Sequence, residues 1–201
     1  MLDGWAHRKI DPGLSALAEQ LATAGVRANA ITYSGLILGL MAAGAIAFEA
    51  YWAGLALVLA SRLCDGLDGA VARINGKTDF GGYLDIVLDF AFYGAVPLGF
   101  IIADPGANAI SGAVLLLAFY VNGASFLAYA VMAEKNRLKS RARGEKSLFF
   151  TTGLAEASET LAVFVAMCLF PAWFPIIAYV FAAVTAYTTV SRIVLAGSRF
   201  G

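Results

Sequence analysis

Four aspartates, two on each of two neighbouring apolar segments, are the residues of this chain best suited to chemistry. Asp65 and Asp68 are three positions apart, and Asp85 and Asp89 are four apart, so each pair shares one face of a helix. A carboxylate inside a bilayer costs about 2.5–3.5 kcal/mol on insertion scales, so four together need neutralising. Carboxylate oxygens suit Mg²⁺, Mn²⁺ or Ca²⁺. The spacing predicts a divalent-metal site, in which two ions balance the four charges as in two-metal phosphoryl-transfer sites.

The residues around the aspartates leave room for a ligand. Small side chains beside the first pair, and again before the second, let a planar group or a diphosphate approach the backbone: Gly66, Gly69, Ala70, Ala72, Gly81 and Gly82. Arg73 follows the first pair by about one turn and can meet a phosphate. The set therefore predicts metal-assisted chemistry on a ligand that carries phosphate.

Two other interpretations of the aspartates stay open at this point. They could form buried ion pairs with Arg62 and Arg73, although two arginines do not neutralise four carboxylates. They could also line a cation pathway, because carboxylates within membranes mark transporters. Transporter sites more often lie near the midplane between broken helices, whereas these aspartates lie toward one end of their segments.

The elements that must position the aspartates are membrane-spanning helices. The chain has 201 residues, of which 60% are hydrophobic and 14% charged, against about 25% charged in an average soluble domain. Its mean hydropathy is +0.76. Without a repeat or low-complexity tract, 1–201 is one domain, with an N-terminal segment, 1–28, and a membrane bundle, 29–201. Six segments are near the length that crosses ~30 Å of hydrocarbon; they are 31–49, 52–73, 82–102, 109–133, 149–170 and 173–195.

The distribution of basic residues orients these spans. Lys and Arg precede span one, follow span two, fill the break before span five and end the chain, whereas the breaks after spans one, three and five hold none. The positive-inside rule then predicts an even number of spans, with both termini and the aspartate site in the cytoplasm. Gly35 and Gly39 in span one permit close helix contact, either within the chain or between two chains.

A separate helix is predicted ahead of the first span, over residues 11–24. Asp11 can cap it, and Gly25 can end it. Its apolar residues recur at helical spacing, so we expect it to lie in the cytoplasmic membrane interface. The alternative is an ordinary amphipathic helix packed on the bundle.

The aspartate motif resembles the signature of the CDP-alcohol phosphotransferase family, D-x2-D-G-x2-A-R-x8-G-x3-D-x3-D. Every fixed position has a match, in Asp65, Asp68, Gly69, Ala72, Arg73, Gly81, Asp85 and Asp89. The departure is the spacer between Arg73 and Gly81, which holds seven residues rather than eight. A deletion of one residue from an exposed loop accounts for it, since such loops tolerate changes in length.

The resemblance implies an all-α membrane protein with six transmembrane helices and an N-terminal amphipathic interfacial helix, assembled as a homodimer. It implies phospholipid biosynthesis, in which a phosphatidyl group passes from CDP-diacylglycerol to a small alcohol and CMP leaves. Two divalent ions, Mg²⁺ or Mn²⁺, would be held by Asp65, Asp68, Asp85 and Asp89, with Asp89 also the general base. The CDP and diphosphate contacts would be Asp65, Gly66, Asp68, Gly69, Ala72, Arg73 and Gly81. We expect a bacterial inner-membrane location and no nucleic-acid partner.

The acceptor alcohol is the part of the reaction that the sequence indicates least. The basic loop before span five and a basic residue on span six could bind a phosphate, and two acids on span five could bind hydroxyls or an amine; these are Arg143, Lys146, Arg192, Glu156 and Glu159. The loop could equally set topology alone, and the acids could pair with arginines. We expect glycerol 3-phosphate or a related polyol. Inositol phosphate, phosphatidylglycerol, serine, choline and ethanolamine are alternatives, and a cation transporter or an inactive scaffold are the competing functions.

Overall fold

The chain is helical throughout most of the part that the structure describes. A computed structural model describes residues 3–136 and 157–200, with side chains from residue 13 onward. Seven α-helices and a short 3₁₀ helix follow one another in these ranges. They are α1 (Asp3–Thr23), α2 (Ala28–Ala47), α3 (Tyr51–Asn75), α4 (Asp79–Ala103), α5 (Pro105–Lys135), α6 (Ala157–Leu169), the 3₁₀ helix (Pro171–Trp173) and α7 (Phe174–Phe200).

Four stretches are long and apolar enough to cross a membrane: Ala28–Ala47, Asp79–Ala103, Pro105–Lys135 and Pro171–Phe200. At most 39% of the residues in their apolar windows are buried within the protein. Most of this apolar surface therefore faces outward, which suits contact with lipid and not with water. The chain is an integral membrane protein.

Two of the six predicted spans differ from these four stretches. α3 has 25 residues, but its second half carries charged side chains, so length and composition do not mark it as a span. The predicted span 149–170 begins outside the described residues, and its described part, α6, has 13 residues.

α1 is longer than the predicted helix at the start of the chain. It begins at Asp3, so the expectation that Asp11 caps it is wrong. An Asp-Pro pair fits a helix start but does not require one, because a helix can also carry proline at a kink. The helix ends as predicted: Gly25 has a φ of 78°, and the Val26 N–H donates to the Leu21 carbonyl.

One face of α1 packs on the bundle. Ala18 is fully buried and joins a cluster with Leu67 and Val71 of α3 and Ile31 of α2. Leu17, on another face, is exposed. These contacts fit the alternative of a helix packed on the bundle, and the exposed face leaves contact with the membrane interface available.

Glycines of α2 bring α3 and α4 close to it. The Gly35 carbonyl accepts a hydrogen bond of 2.7 Å from the Ser61 hydroxyl of α3. Gly39 faces the Phe92 ring of α4, and a side chain there would collide with that ring. The glycine pair of span one therefore makes its close contacts within the chain.

Aromatic rings join the second half of the bundle to the first. Phe100 of α4 stacks on Phe174 of α7 with ring centroids 4.7 Å apart. Phe164 of α6 meets Phe92 of α4 at 5.9 Å and Phe119 of α5 at 6.4 Å, both edge to face. Such pairs add to the energy of burial, and they fix α4 against α5, α6 and α7.

Candidate active site

The three-residue turn 76–78 joins α3 to α4, and both helices pack on α2. Gly76 has a φ of 97°, a conformation that favours glycine. The Thr78 hydroxyl accepts a hydrogen bond of 3.0 Å from the Gly81 N–H and so caps α4. The end of α3 and the start of α4 are thereby held at the same end of the bundle.

Carboxylates from the two helices meet between α3 and α4. One oxygen from each of Asp65, Asp85 and Asp89 lies within 4.8 Å of the other two. These three aspartates line a small cavity, and Asp68 lines it too. Asp68 is 5% exposed, and its Oδ2 has no hydrogen-bond partner in the described ranges. A set of hard oxygens with one buried oxygen left unpartnered fits a divalent cation. The four predicted metal ligands are therefore brought together, three of them as a tight group.

Arg62 lies among these carboxylates. Its Nη1 donates to Asp89 Oδ1 at 2.7 Å and lies 3.5 Å from Asp65 Oδ1. The predicted ion pairing of the aspartates is thus partly present. One guanidinium leaves most of the negative charge of four carboxylates uncompensated, which is the condition that favours binding of cations.

A cavity of about 410 Å³ adjoins the carboxylates, and Asp68 and Asp85 form part of its wall. It is bordered by α2, α3, the turn and the start of α4. Of the predicted nucleotide and diphosphate contacts, five line it: Asp68, Gly69, Ala72, Arg73 and Gly81. A volume of this size is typical of a site for a small organic molecule.

Six further residues of this wall with polar or charged side chains were not assigned from the sequence. They are Arg27, Asn29, Thr32, Asn75, Lys77 and Thr78. Arg27 and Lys77 carry a signal in the sequence, since both are cations next to a span, but that signal alone indicates only the orientation of the spans. With Arg73 they supply three positive charges to one cavity, which suits a diphosphate.

The glycines predicted to contact the nucleotide have different surroundings. A Cβ at Gly69 would approach only the Arg73 guanidinium, at 3.8 Å, so the backbone is open to the cavity. A Cβ at Gly81 would lie 2.9 Å from Thr78 Oγ1 and 3.2 Å from Asn29 Oδ1, so a side chain there would crowd both groups. Gly66 instead lies against Leu14 of α1, and it lines neither this cavity nor the small one at the carboxylates.

Two of the predicted acceptor residues can be located. The Arg192 Nη1 of α7 donates to the carbonyl and Oδ1 of Asn122 and to Ser125 Oγ, at 3.0, 2.9 and 2.6 Å. Glu159 Oε2 accepts from Ser158 Oγ at 2.9 Å. The remaining three, Arg143, Lys146 and Glu156, lie outside the described residues.

The family model of the CDP-alcohol phosphatidyltransferases matches residues 26–195. The chain belongs to this family. It is a CDP-alcohol phosphatidyltransferase, a membrane transferase of phospholipid biosynthesis. The match favours the enzyme over a cation pathway, and it covers the whole of the site described above.

Two sequence relatives match this CDP-alcohol phosphatidyltransferase over different lengths of the chain. The inner membrane protein YnjF of Escherichia coli K12 is 44% identical over 193 residues, covering 96% of this chain and 94% of its own. The archaetidylinositol phosphate synthase of Pyrococcus horikoshii is 36% identical over 87 residues, or 40% of this chain and 44% of its own.

Solved structures share the fold. The phosphatidylinositol phosphate synthase PgsA1 of Mycobacterium tuberculosis with CDP-DAG bound has a TM-score of 0.66, covering 90% of this chain and 91% of its own at 22% identity. The same protein in complex with manganese and citrate also has a TM-score of 0.66. At this identity the likeness shows a common fold.

Proposed function

We propose that this CDP-alcohol phosphatidyltransferase moves the phosphatidyl group of CDP-diacylglycerol onto a hydroxyl of a small polyol phosphate, with release of CMP. The observation that carries the proposal is the group formed by Asp65, Asp85 and Asp89 at the side of a cavity that also contains Arg73. An anionic wall and a cationic wall in one site suit metal ions and a diphosphate together.

The cytidine diphosphate part of the CDP-linked lipid occupies the 410 Å³ cavity in this proposal. Arg27, Arg73 and Lys77 hold its diphosphate, and the open backbone at Gly69 lets the nucleotide approach α3. Asp65, Asp68, Asp85 and Asp89 hold two divalent ions, Mg²⁺ or Mn²⁺. Bound there, the ions would neutralise the diphosphate and stabilise the departing CMP. PgsA1 supports this arrangement, because it has been solved both with CDP-DAG and with manganese.

Asp89 serves as the general base. It accepts the proton of the acceptor hydroxyl while the hydroxyl oxygen attacks the phosphorus that carries the diacylglycerol. The bond between that phosphorus and the oxygen bridging it to CMP breaks, and the electron pair leaves with CMP. Since Oδ1 of Asp89 is held by Arg62, the other oxygen is the one that takes the proton.

Inositol phosphate is the acceptor that the relatives favour, because an archaetidylinositol phosphate synthase and a phosphatidylinositol phosphate synthase are both similar to this chain. Glycerol 3-phosphate, the acceptor expected from the sequence, belongs to the same chemical class. Both carry hydroxyls and one phosphate, for which Arg143, Lys146 and Arg192 are the proposed cations. Glu156 and Glu159 are the proposed contacts of the hydroxyls.

The proposed enzyme spans the inner membrane six times, as a homodimer with both termini and the site in the cytoplasm. α3 and α6 supply the two spans beyond the four apolar stretches. YnjF, an inner membrane protein, supports the location. The Lys and Arg residues at the ends of α3 and α7, together with those before α2, support the orientation.

CMP release from CDP-diacylglycerol tests the function. Purified protein in detergent with Mn²⁺ receives inositol phosphate, glycerol 3-phosphate, glycerol, serine, choline, ethanolamine or phosphatidylglycerol, one at a time. We expect release that depends on inositol phosphate or glycerol 3-phosphate, with the matching phospholipid as product. Release driven by an amino alcohol would overturn the polyol phosphate acceptor. Folded protein without release for any acceptor would overturn the proposed reaction.

A further inference from the structure

Arg62 is a charged residue at the centre of the site. The family signature, which begins at Asp65, does not include it. It lies three positions before Asp65, so both face the same side of α3. Its Nη1 contacts Asp89 Oδ1 at 2.7 Å and Asp65 Oδ1 at 3.5 Å. It thus links the two helices through carboxylates that are also proposed metal ligands.

The guanidinium of Arg62 is held in one position by its contacts. It lies over the ring of Phe92 with its central carbon 3.8 Å from the ring centroid, and its side chain is 13% exposed. Nη2 is 3.4 Å from the Ser61 hydroxyl, which in turn donates to the Gly35 carbonyl at 2.7 Å. A stacked, hydrogen-bonded guanidinium at this depth loses little further freedom when it binds a carboxylate.

The position of the Arg62 guanidinium determines which oxygen of Asp89 is free. With Oδ1 bonded to Arg62, the carboxylate has a defined rotation about its bond to Cβ, and Oδ2 is the oxygen available to a metal or a hydroxyl. The positive charge of Arg62 lowers the affinity for cations, because it repels an ion held by Asp65 and Asp89. Orientation and metal affinity therefore respond in opposite directions to the loss of Arg62.

We propose that Arg62 is a positioning residue that fixes Asp89 for the transfer reaction and weakens metal binding at the same carboxylates. This inference rests on the proposed function for its effect on turnover. Its effect on cation binding rests on the charge and distances alone.

The experiment compares Arg62→Met, Arg62→Lys and, as a control, Arg199→Met, which removes an exposed arginine from the last turn of α7. Each purified variant is titrated with Mn²⁺ alone, by calorimetry or electron paramagnetic resonance, and kcat and KM for CDP-diacylglycerol are measured separately. Because the titration needs no substrate, failure of the proposed reaction and failure of the Arg62 role are distinguishable.

We expect Arg62→Met to lower kcat by about 10–100-fold, as losses of outer-shell partners do, with little change in KM. Its Mn²⁺ dissociation constant should fall below that of the wild type. Arg62→Lys should bind Mn²⁺ like the wild type and recover part of kcat, and Arg199→Met should match the wild type in both. Weaker Mn²⁺ binding by Arg62→Met, or an unchanged kcat in an active enzyme, would overturn the proposal.

Discussion

The two carboxylate oxygens of Asp89 have different surroundings, and the one that Arg62 does not hold is the proposed general base. One is held by Arg62, and the carboxylate as a whole belongs to the group with Asp65 and Asp85. An amide at this position keeps the size of the side chain but accepts no proton. Asp89→Asn should therefore lower turnover by about a hundredfold or more.

CMP release measures this loss, and the thermal unfolding temperature in detergent shows whether the variant is folded. Asp79→Asn is a matched control, because Asp79 lies on the same helix in its first turn and outside the group of carboxylates. Turnover near that of the wild type in Asp89→Asn would remove Asp89 from the role of base.

Arg73 is exposed to the cavity beside Gly69, where a phosphate group of the CDP-linked lipid would approach. Hydrogen bonds to charged groups contribute about 1.5–3 kcal/mol each. Arg73→Met should therefore raise KM for CDP-diacylglycerol about tenfold or more, measured in mixed micelles at saturating acceptor. The KM for the acceptor should change less. A larger change in the KM for the acceptor than in the KM for CDP-diacylglycerol would show that Arg73 binds the acceptor instead.

At this scale the sequence predicted which aspartates converge, because spacings of three and four on two consecutive helices leave few arrangements. It offered pairing of the aspartates with Arg62 only as an alternative, since the contact of Arg62 with Asp89 depends on the distance between α3 and α4. The assignment of Gly66 to the nucleotide stays a prediction, while in the structure a Cβ on this residue would contact Leu14 of α1. That contact depends on how α1 docks, which no local pattern indicates.

At the scale of elements, α2 is the surface on which α3 and α4 are held, and Gly99 is a point of close approach. A Cβ on Gly99 of α4 would come within 2.6 Å of the Ala43 carbonyl oxygen of α2. The neighbour is backbone, so relief requires the helices to move apart. Gly99→Ala should destabilise the protein by about 1–3 kcal/mol.

A lower thermal unfolding temperature in detergent would register this change. Gly94→Ala is the control, because Gly94 lies on the same helix and a Cβ there meets no atom within 4 Å. Gly94→Ala should keep or slightly raise the unfolding temperature, as alanine is the better helix former. Equal losses in both variants would attribute the effect to helix α4 itself and not to its contact with α2.

The elements show where sequence patterns suffice and where they do not. Predicted spans 31–49, 82–102 and 109–133 each correspond to one helix, because long apolar runs have few alternatives in a membrane. The start of α1 was missed, since a proline is compatible with both the first turn and a kink. The cap of α4 by Thr78 was also missed, although threonine three residues before Gly81 was visible.

For the whole molecule, the two ends of the bundle differ in the sign of the charges on their connections. The connections after α2 and α4 carry Glu49 and Asp104 and no Lys or Arg, whereas Lys77 follows α3. The positive-inside rule therefore predicts which end faces the cytoplasm. This feature was available from the sequence alone, and no packing detail was needed for it.

Cysteine labelling tests this orientation. After Cys64 and Cys168 are replaced by alanine, single cysteines are introduced as Ala50→Cys and Asn136→Cys, at opposite ends of the bundle. A membrane-impermeant maleimide added to intact cells should label the first variant and not the second. Permeabilised cells, in which both should react, are the control. Labelling only of the second variant in intact cells would reverse the proposed topology.

The carboxylates, together with Arg62 and Arg73, come from one short stretch of chain, 62–89, interrupted only by the turn 76–78. Contacts between residues so near in sequence require little loop-closure entropy. We therefore expect the proposed reaction centre to need only α2, α3 and α4 for its assembly. The acceptor candidates all lie in the later half of the chain. Under the proposed roles, changes there would alter which alcohol is used and would leave the carboxylates and the diphosphate contacts unchanged.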